Sequence, residues 1–217
     1  MITVSGLTVE YGTHLVLDQV SLEVAAGEAV CLTGDNGVGK STLLRCVAGL
    51  QAFEHGEISV GGLRPTDPRR WELLASTVDA PSWYPGLTVR EHLDLIHLAH
   101  GVEDDEAIDR LLDTLGIAAA ADAVPTTLSS GQRQRLALCA VLARPSRVLL
   151  LDEPEQRLDQ HIRVDLAALL ADYVAGGGTL LMASHDPVFA AATGARLVPV
   201  TGLPAPAPAP TDAVPPA

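Results

Sequence analysis

The chain has 217 residues, 47% hydrophobic and 19% charged, and carries a net charge of −13. That length suits one large domain, or a domain with a subdomain, and buries about 70% of the unfolded surface. No apolar run approaches the ~18 residues that cross a bilayer, the opening residues lack the basic start and apolar core of a secretory signal, and the acidity argues against a nucleic-acid partner.

Cytoplasmic residence is therefore expected. Cys31, Cys46 and Cys139 are odd in number, far apart and set among apolar residues, with no C-x-x-C spacing. They read as three buried free thiols rather than a metal site.

In chain order, "ITVSGLTVEY", "VSLEV" and "EAVCLT" are short strands. The last runs into glycines and then a helical pattern from Lys40 to Ala48, the start of a phosphate-binding α/β unit. "GEISVGG" is another short strand between turns. "VDAPSWYPG" follows, in which Trp83 and Tyr84 stand together between Pro81 and Pro85. Proline on both sides keeps this pair out of helix and displays it on a loop.

Thr88 and Glu91 make a T-x-x-E capping box, predicting a helix from Val89. Asp104, Asp105 and Glu106 favour a second helix start, with Ile108, Leu111, Leu112 and Leu115 on one face and Gly116 as its stop. "RVLLLDEP" is a buried strand, Ile162 to Tyr173 an amphipathic helix, and "GTLLMASHD" another buried strand. Strands and helices alternate on both sides of a helical insert, which predicts a parallel α/β core. From Leu203 the sequence becomes "LPAPAPAPTDAVPPA", too rich in proline and alanine to form a core and expected to be a disordered tail.

"GDNGVGKST" fits G-x-x-x-x-G-K-[ST], with Gly34, Gly39, Lys40 and Ser41 at the fixed places. Glycines let such a loop fold back so that its N–H groups converge on phosphate oxygens. The helix adds its positive N-terminal end, the lysine reaches the terminal phosphates, and the Ser41 hydroxyl can hold Mg²⁺. In "VLLLDEP" four apolar residues deliver Asp152 and Glu153 to the carboxyl end of a strand, where open α/β sheets bind ligands. An aspartate there can hold the Mg²⁺ shell and the adjacent glutamate can polarise an attacking water.

Between those segments lies "LSSGQRQRLAL", Leu128 to Leu138. With the phosphate loop before it and "LLLDEP" after it, the series resembles the ATP-binding cassette family, over essentially residues 1 to 200. The resemblance implies a P-loop NTPase fold: a RecA-like parallel-sheet core, an antiparallel β subdomain near the N-terminus and an inserted α-helical subdomain. It also implies subunits that pair head to tail, each ATP lying between the phosphate loop of one copy (Gly34, Asp35, Asn36, Gly37, Val38, Gly39, Lys40, Ser41, Thr42) and the signature of the other (Ser129, Ser130, Gly131, Gln132). Tyr11 aligns with the aromatic that stacks on adenine, although a plain strand-end tyrosine also fits that position. His185 aligns with the histidine that contacts the γ-phosphate and orients water, and Leu158-Asp159 with the end of the segment that crosses the dimer interface.

The chain departs from the family pattern in three places. Ser130 replaces the first glycine of LSGGQ and keeps its N–H. "EPEQRLD" replaces the usual EPTSALD, which puts Glu155 and Arg157 where small residues are common. Asp79 stands where the family usually carries a glutamine that reaches Mg²⁺; it can still offer an oxygen to the metal but adds a charge and cannot donate a hydrogen bond.

The expected organisation is a cassette over 1–203, with its nucleotide-binding core at about 1–80 and 146–203 and its helical subdomain at about 86–145, then a tail over 204–217. The expected function is an ATPase subunit that powers a separately encoded membrane transporter, with ATP and Mg²⁺ as cofactors. It would sit on the inner face of the cell membrane and pair with a second such subunit, most simply as a homodimer. "YPGLTVREHL" resembles exporter cassettes, which points to export. The alternative is a soluble cassette ATPase of translation or DNA maintenance. The resemblance implies that the loop after Asp79 lines the groove that receives the permease, and aromatic side chains are favoured at interface centres. The loop near Trp83 is therefore the expected docking point, with Tyr84, at a commonly aromatic position of the family, packed between the lobes.

Overall fold

The computed structural model describes residues 1–79 and 81–200. The Pro/Ala-rich segment expected to form a disordered tail lies outside them. In β1 (Ile2–Tyr11) buried Ile2 and Val4 alternate with exposed Thr3 and Ser5, until Gly6, at φ +58°, shifts the register so that Leu7 and Val9 point inward. β1 is the middle strand of an antiparallel sheet, paired with β2 (His14–Val24) on one side.

β3 (Ala29–Thr33) leads through the glycine loop into α1 (Lys40–Val47). β4 (His55–Val60) then returns to β1 and closes the three-stranded sheet in the order β2-β1-β4. β5 (Leu74–Ser76) precedes three helices, α2 (Val89–His100), α3 (Asp105–Thr114) and α4 (Ser130–Leu142). The remaining elements are β6 (Val148–Asp152), α5 (Gln160–Ala175), β7 (Thr179–Ala183), α6 (Pro187–Ala192) and β8 (Arg196–Pro199). The four later strands and β3 form a five-stranded parallel sheet in the order β5-β6-β7-β3-β8.

The expected helix start at Val89 is present. Thr88 accepts from the Glu91 amide, and the Glu91 carboxylate accepts from the Thr88 amide at 2.7 Å. Asp104 caps α3 through the Ala107 amide at 3.0 Å. β5, α6 and β8 were not legible as elements, being only 3, 6 and 4 residues long.

Period-2 alternation divides the core in two. Val30 and Leu32, Val148 and Leu150, and Leu181 and Ala183 face α1 and the antiparallel sheet. Cys31, Leu149, Leu151, Leu180 and Met182 face the helical insert and α5. Strands covered on both faces read as continuous apolar runs, which is why "VLLL" and "TLLM" stand out. Each fully buried leucine there contributes roughly 1.5–3 kcal/mol. All three cysteines are buried and free, and burial pushes the Cys139 thiol up to about 12.

The consequence for function is one of placement. β7 lies between β6 and β3, and all three run parallel. The ends of "CLTG", "LLDE" and "MASH" therefore meet at one edge of the sheet.

Candidate functional site

The loop from Gly34 to Gly39 holds three glycines at positive φ, Gly34 at +135°, Gly37 at +81° and Gly39 at +103°. Gly39 is the N-cap of α1, and no side chain caps the helix there. A Cβ on Gly39 would lie 2.5 Å from Leu Cδ2 of Leu17, so both backbone conformation and space demand glycine. No acidic residue occupies the first turn of α1, and its N-terminal N–H groups are left to face an anion. Lys40 is buried, and its Nζ donates to the carbonyls of Gly34 at 2.7 Å and Asp35 at 2.9 Å. Ser41 is exposed beside it.

At the end of β6 the Asp152 amide donates to the Thr77 hydroxyl at 3.2 Å. Its carboxylate Oδ1 is enclosed without a hydrogen-bond partner. An orphaned buried carboxylate oxygen fits a cation. Among the described residues no cluster of three or more acidic, histidine or cysteine side chains could hold a metal. Mg²⁺ takes one or two carboxylates and completes its shell with water and substrate phosphates, so the chemistry of the Asp152 carboxylate fits it.

Glu153 has a left-handed backbone, φ +47°, and its N–H donates to the Ala183 carbonyl of β7 at 2.9 Å. The bond to the neighbouring strand holds this unusual conformation in place. As a result the Glu153 side chain meets His185, whose Nε2 lies 3.2 Å from Oε1. Two residues predicted from separate motifs are thus brought together.

Ser129 is the N-cap of α4 and forms a capping box with Gln132, each side chain accepting from the other's backbone N–H. The amides of Ser130 and Gly131 remain as first-turn donors. Asp159 pairs with Arg135 of the same helix at 2.8 Å, and a Cβ on Gly131 would lie 3.5 Å from the Arg157 carbonyl. The segment after β6 therefore packs against the signature helix within one chain. Tyr11 is half exposed, and its hydroxyl donates to Gln51 Oε1 at 3.1 Å. Asp79 is exposed, two residues beyond Thr77, on a cavity of about 370 Å³ lined also by Trp71, Ile96, His100, Ala137 and Arg144.

The aromatic pair corrects one expectation. Tyr84, expected between the lobes, is 62% exposed, whereas Trp83 is partly buried against the core that contains the helical insert. The reason is His92, a buried residue of α2 that the sequence did not single out. Its Nε2 accepts from the Tyr84 amide at 2.9 Å, so Nδ1 donates to the Thr88 carbonyl at 2.7 Å. Trp83 then packs edge-on to the imidazole, with centroids 5.2 Å apart, while Tyr84 lies over its outer side at 6.3 Å. Thr77 and Ser184 were also missed. A hydroxyl residue near a motif gives no sign of what it touches until the strands are paired.

This arrangement is a P-loop nucleotide cassette, and the comparisons agree. The family model described as ABC transporter matches residues 17–156. The glutamine transport ATP-binding protein of Escherichia coli is 32% identical, across 91% of this chain and 86% of its own length. The Fe(3+) ions import ATP-binding protein of Streptomyces avermitilis is 36% identical across 91% of this chain but 59% of its own length. A solved dimeric bacterial ABC transporter cassette is 25% identical, covers 94% of this chain and 96% of its own, and superposes with a TM-score of 0.77. A dimeric post-hydrolysis cassette bound to ADP and Pi gives 0.76, at 25% identity over 93% and 94% of the two chains.

The chain belongs to the ABC transporter family, as an ATPase cassette. The expectation of export finds no support in these relatives' names, which read glutamine transport and Fe(3+) ions import. Among the described residues no helix is long and apolar enough to cross a membrane.

Proposed function

We propose that this chain is the ATP-hydrolysing subunit of a membrane transporter whose membrane-spanning part is a separate chain, and that two copies close on two ATP molecules and reopen after hydrolysis. The observation that carries the reading is the 3.2 Å contact between His185 and Glu153, beside the unpartnered Oδ1 of Asp152.

In this reading the loop amides from Gly34 to Gly39 and the first turn of α1, including Thr42, hold the phosphates, and Lys40 moves from its two carbonyls onto the terminal phosphate. Ser41 and Asp152 would hold Mg²⁺, with Asp79 as a further oxygen donor near it. The bound cation supplies positive charge that offsets the phosphate oxygens. Glu153 takes a proton from the attacking water, and His185 holds the γ-phosphate and the water in line. Tyr11 stacks on adenine. Ser129, Ser130, Gly131 and Gln132 of the second copy present the N-terminus of α4 to the γ-phosphate, with Asp159 at the dimer contact.

The permease docks on the groove between the lobes, at the exposed Tyr84 and the cavity walled by Asp79, Ile96 and Arg144. The names of the relatives favour import.

Purifying tagged Glu153→Gln from detergent-solubilised membranes with ATP tests the proposal. The variant binds ATP and stalls, and a polytopic membrane protein in the eluate is the expected result. Ribosomal or DNA-repair proteins alone would overturn it in favour of a soluble cassette.

A further inference from the structure

Two residues beyond Glu153 the chain carries another acid, Glu155, only 4% exposed. Its Oε1 accepts a hydrogen bond from the Ser184 hydroxyl, and its Oε2 is enclosed without a hydrogen-bond partner. A buried carboxylate held by one hydroxyl is costly, and a small residue would fill the same position without that cost.

What Glu155 holds is specific. Ser184 immediately precedes His185. Its hydroxyl donates a hydrogen bond to Glu155 and accepts one from the Asp186 amide at 3.0 Å. Asp186 in turn caps α6 through the amides of Val188 and Phe189 and pairs with Arg163 of α5 at 3.3 Å. His185 thus stands between Ser184, which is bonded to the Glu155 carboxylate, and Asp186, which is bonded to the Ser184 hydroxyl, while Glu153 is pinned to β7 by its own N–H.

We propose that Glu155 is a positioning residue for hydrolysis: its carboxylate locks the turn from Ser184 to Asp186 and so keeps the His185 imidazole facing Glu153. This rests on the roles assigned to His185 and Glu153 above. Glu155 itself does not touch nucleotide. Its effect is read in the step in which water is aligned.

The test is a double-mutant cycle on the full chain, reading kcat and KM for ATP and the thermal midpoint. Glu155→Ala is expected to lower kcat about tenfold or more, the scale of a misplaced catalytic group, with KM unchanged. Glu155→Gln retains an oxygen to accept from Ser184 and keeps kcat within about threefold. Glu155→Ala combined with His185→Ala is no slower than His185→Ala alone, because residues acting through one group do not add.

A loss that multiplies onto His185→Ala, a parallel rise in KM, or a failure of glutamine to rescue would overturn the proposal. If His185→Ala turns over like the native chain, the role of His185 falls as well. If His185→Ala is slow and Glu155→Ala is not, only the role of Glu155 falls.

Discussion

His185 Nε2 lies 3.2 Å from Glu153 Oε1, although the two residues end different strands. The register of the parallel sheet makes the contact: Asp152 sits opposite Ala183, so each chain leaves its strand one or two residues later at the same edge. The left-handed turn at Glu153 and the Ser184 hydrogen bonds then aim the two side chains at each other. In the reaction proposed above, these two side chains need no rearrangement to meet, which lowers the cost of alignment.

Tyr11 offers the simplest test of adenine stacking. Its hydroxyl bond to Gln51 is solvent-exposed, so losing that bond matters little, whereas losing the ring removes about 1 kcal/mol of aromatic contact. Tyr11→Phe should bind ATP like the native chain and Tyr11→Ala about fivefold more weakly, as measured by titration with a fluorescent ATP analogue.

Gly39→Ala should damage stability and nucleotide binding together. The backbone sits at φ +103°, and the new methyl would meet Leu17. A cost above about 1 kcal/mol follows from an incompatible conformation. Urea unfolding reads that loss directly, and an unchanged midpoint would mean that the loop relaxes without strain.

The aromatic loop separates packing from docking. Trp83→Ala removes a ring packed on His92 and the core, and should lower the thermal midpoint. Tyr84→Ala removes an exposed ring and should leave the midpoint unchanged while weakening co-purification of a membrane partner. Equal retention of the partner by both variants would remove this loop from the docking surface.

Acid should loosen the edge of the parallel sheet at β8. Arg196 Nε donates to Glu28 Oε1 at 2.7 Å, and its Nη2 donates to the Glu23 carbonyl at 3.1 Å. The Arg196 hydrogen bond first, and the Ala25 amide second, hold the Glu28 carboxyl below its ordinary value. A depressed carboxylate stabilises the fold above its unfolded pKa and loses that contribution as pH falls through the folded pKa. With the guanidinium half exposed the pair contributes at most about 1 kcal/mol. Glu28→Gln should therefore be slightly less stable than the native chain at neutral pH, and the difference should vanish at low pH in paired urea titrations.

Much of the fold was legible because its signals are short-range. The Thr88–Glu91 capping box, the apolar runs of β6 and β7 and the glycine loop each sit within a few residues, and all appear where the pattern put them. β8 was not legible, because its burial pattern is exposed, exposed, intermediate, exposed. An edge strand of four residues with little apolar alternation gives periodicity nothing to register. His92, Thr77 and Ser184 escaped for another reason: their roles are hydrogen bonds to residues distant in the chain or to a neighbouring loop.

The sequence by itself determined the family and the fold class. Glycines before a lysine and a serine, and an acidic pair after four apolar residues, have few other uses, because a phosphate-binding loop demands particular donors in a particular order. The tertiary structure decided which of those groups meet and which face solvent. His185 reaches Glu153 only because β6 and β7 are neighbours in register. Trp83 rather than Tyr84 turns inward because one buried imidazole fixes the loop. Glu155, in line only an acid where small residues are common, is enclosed because the chain folds back under Ser184. Burial and contact are properties of residues far apart in the chain, and no local pattern encodes them.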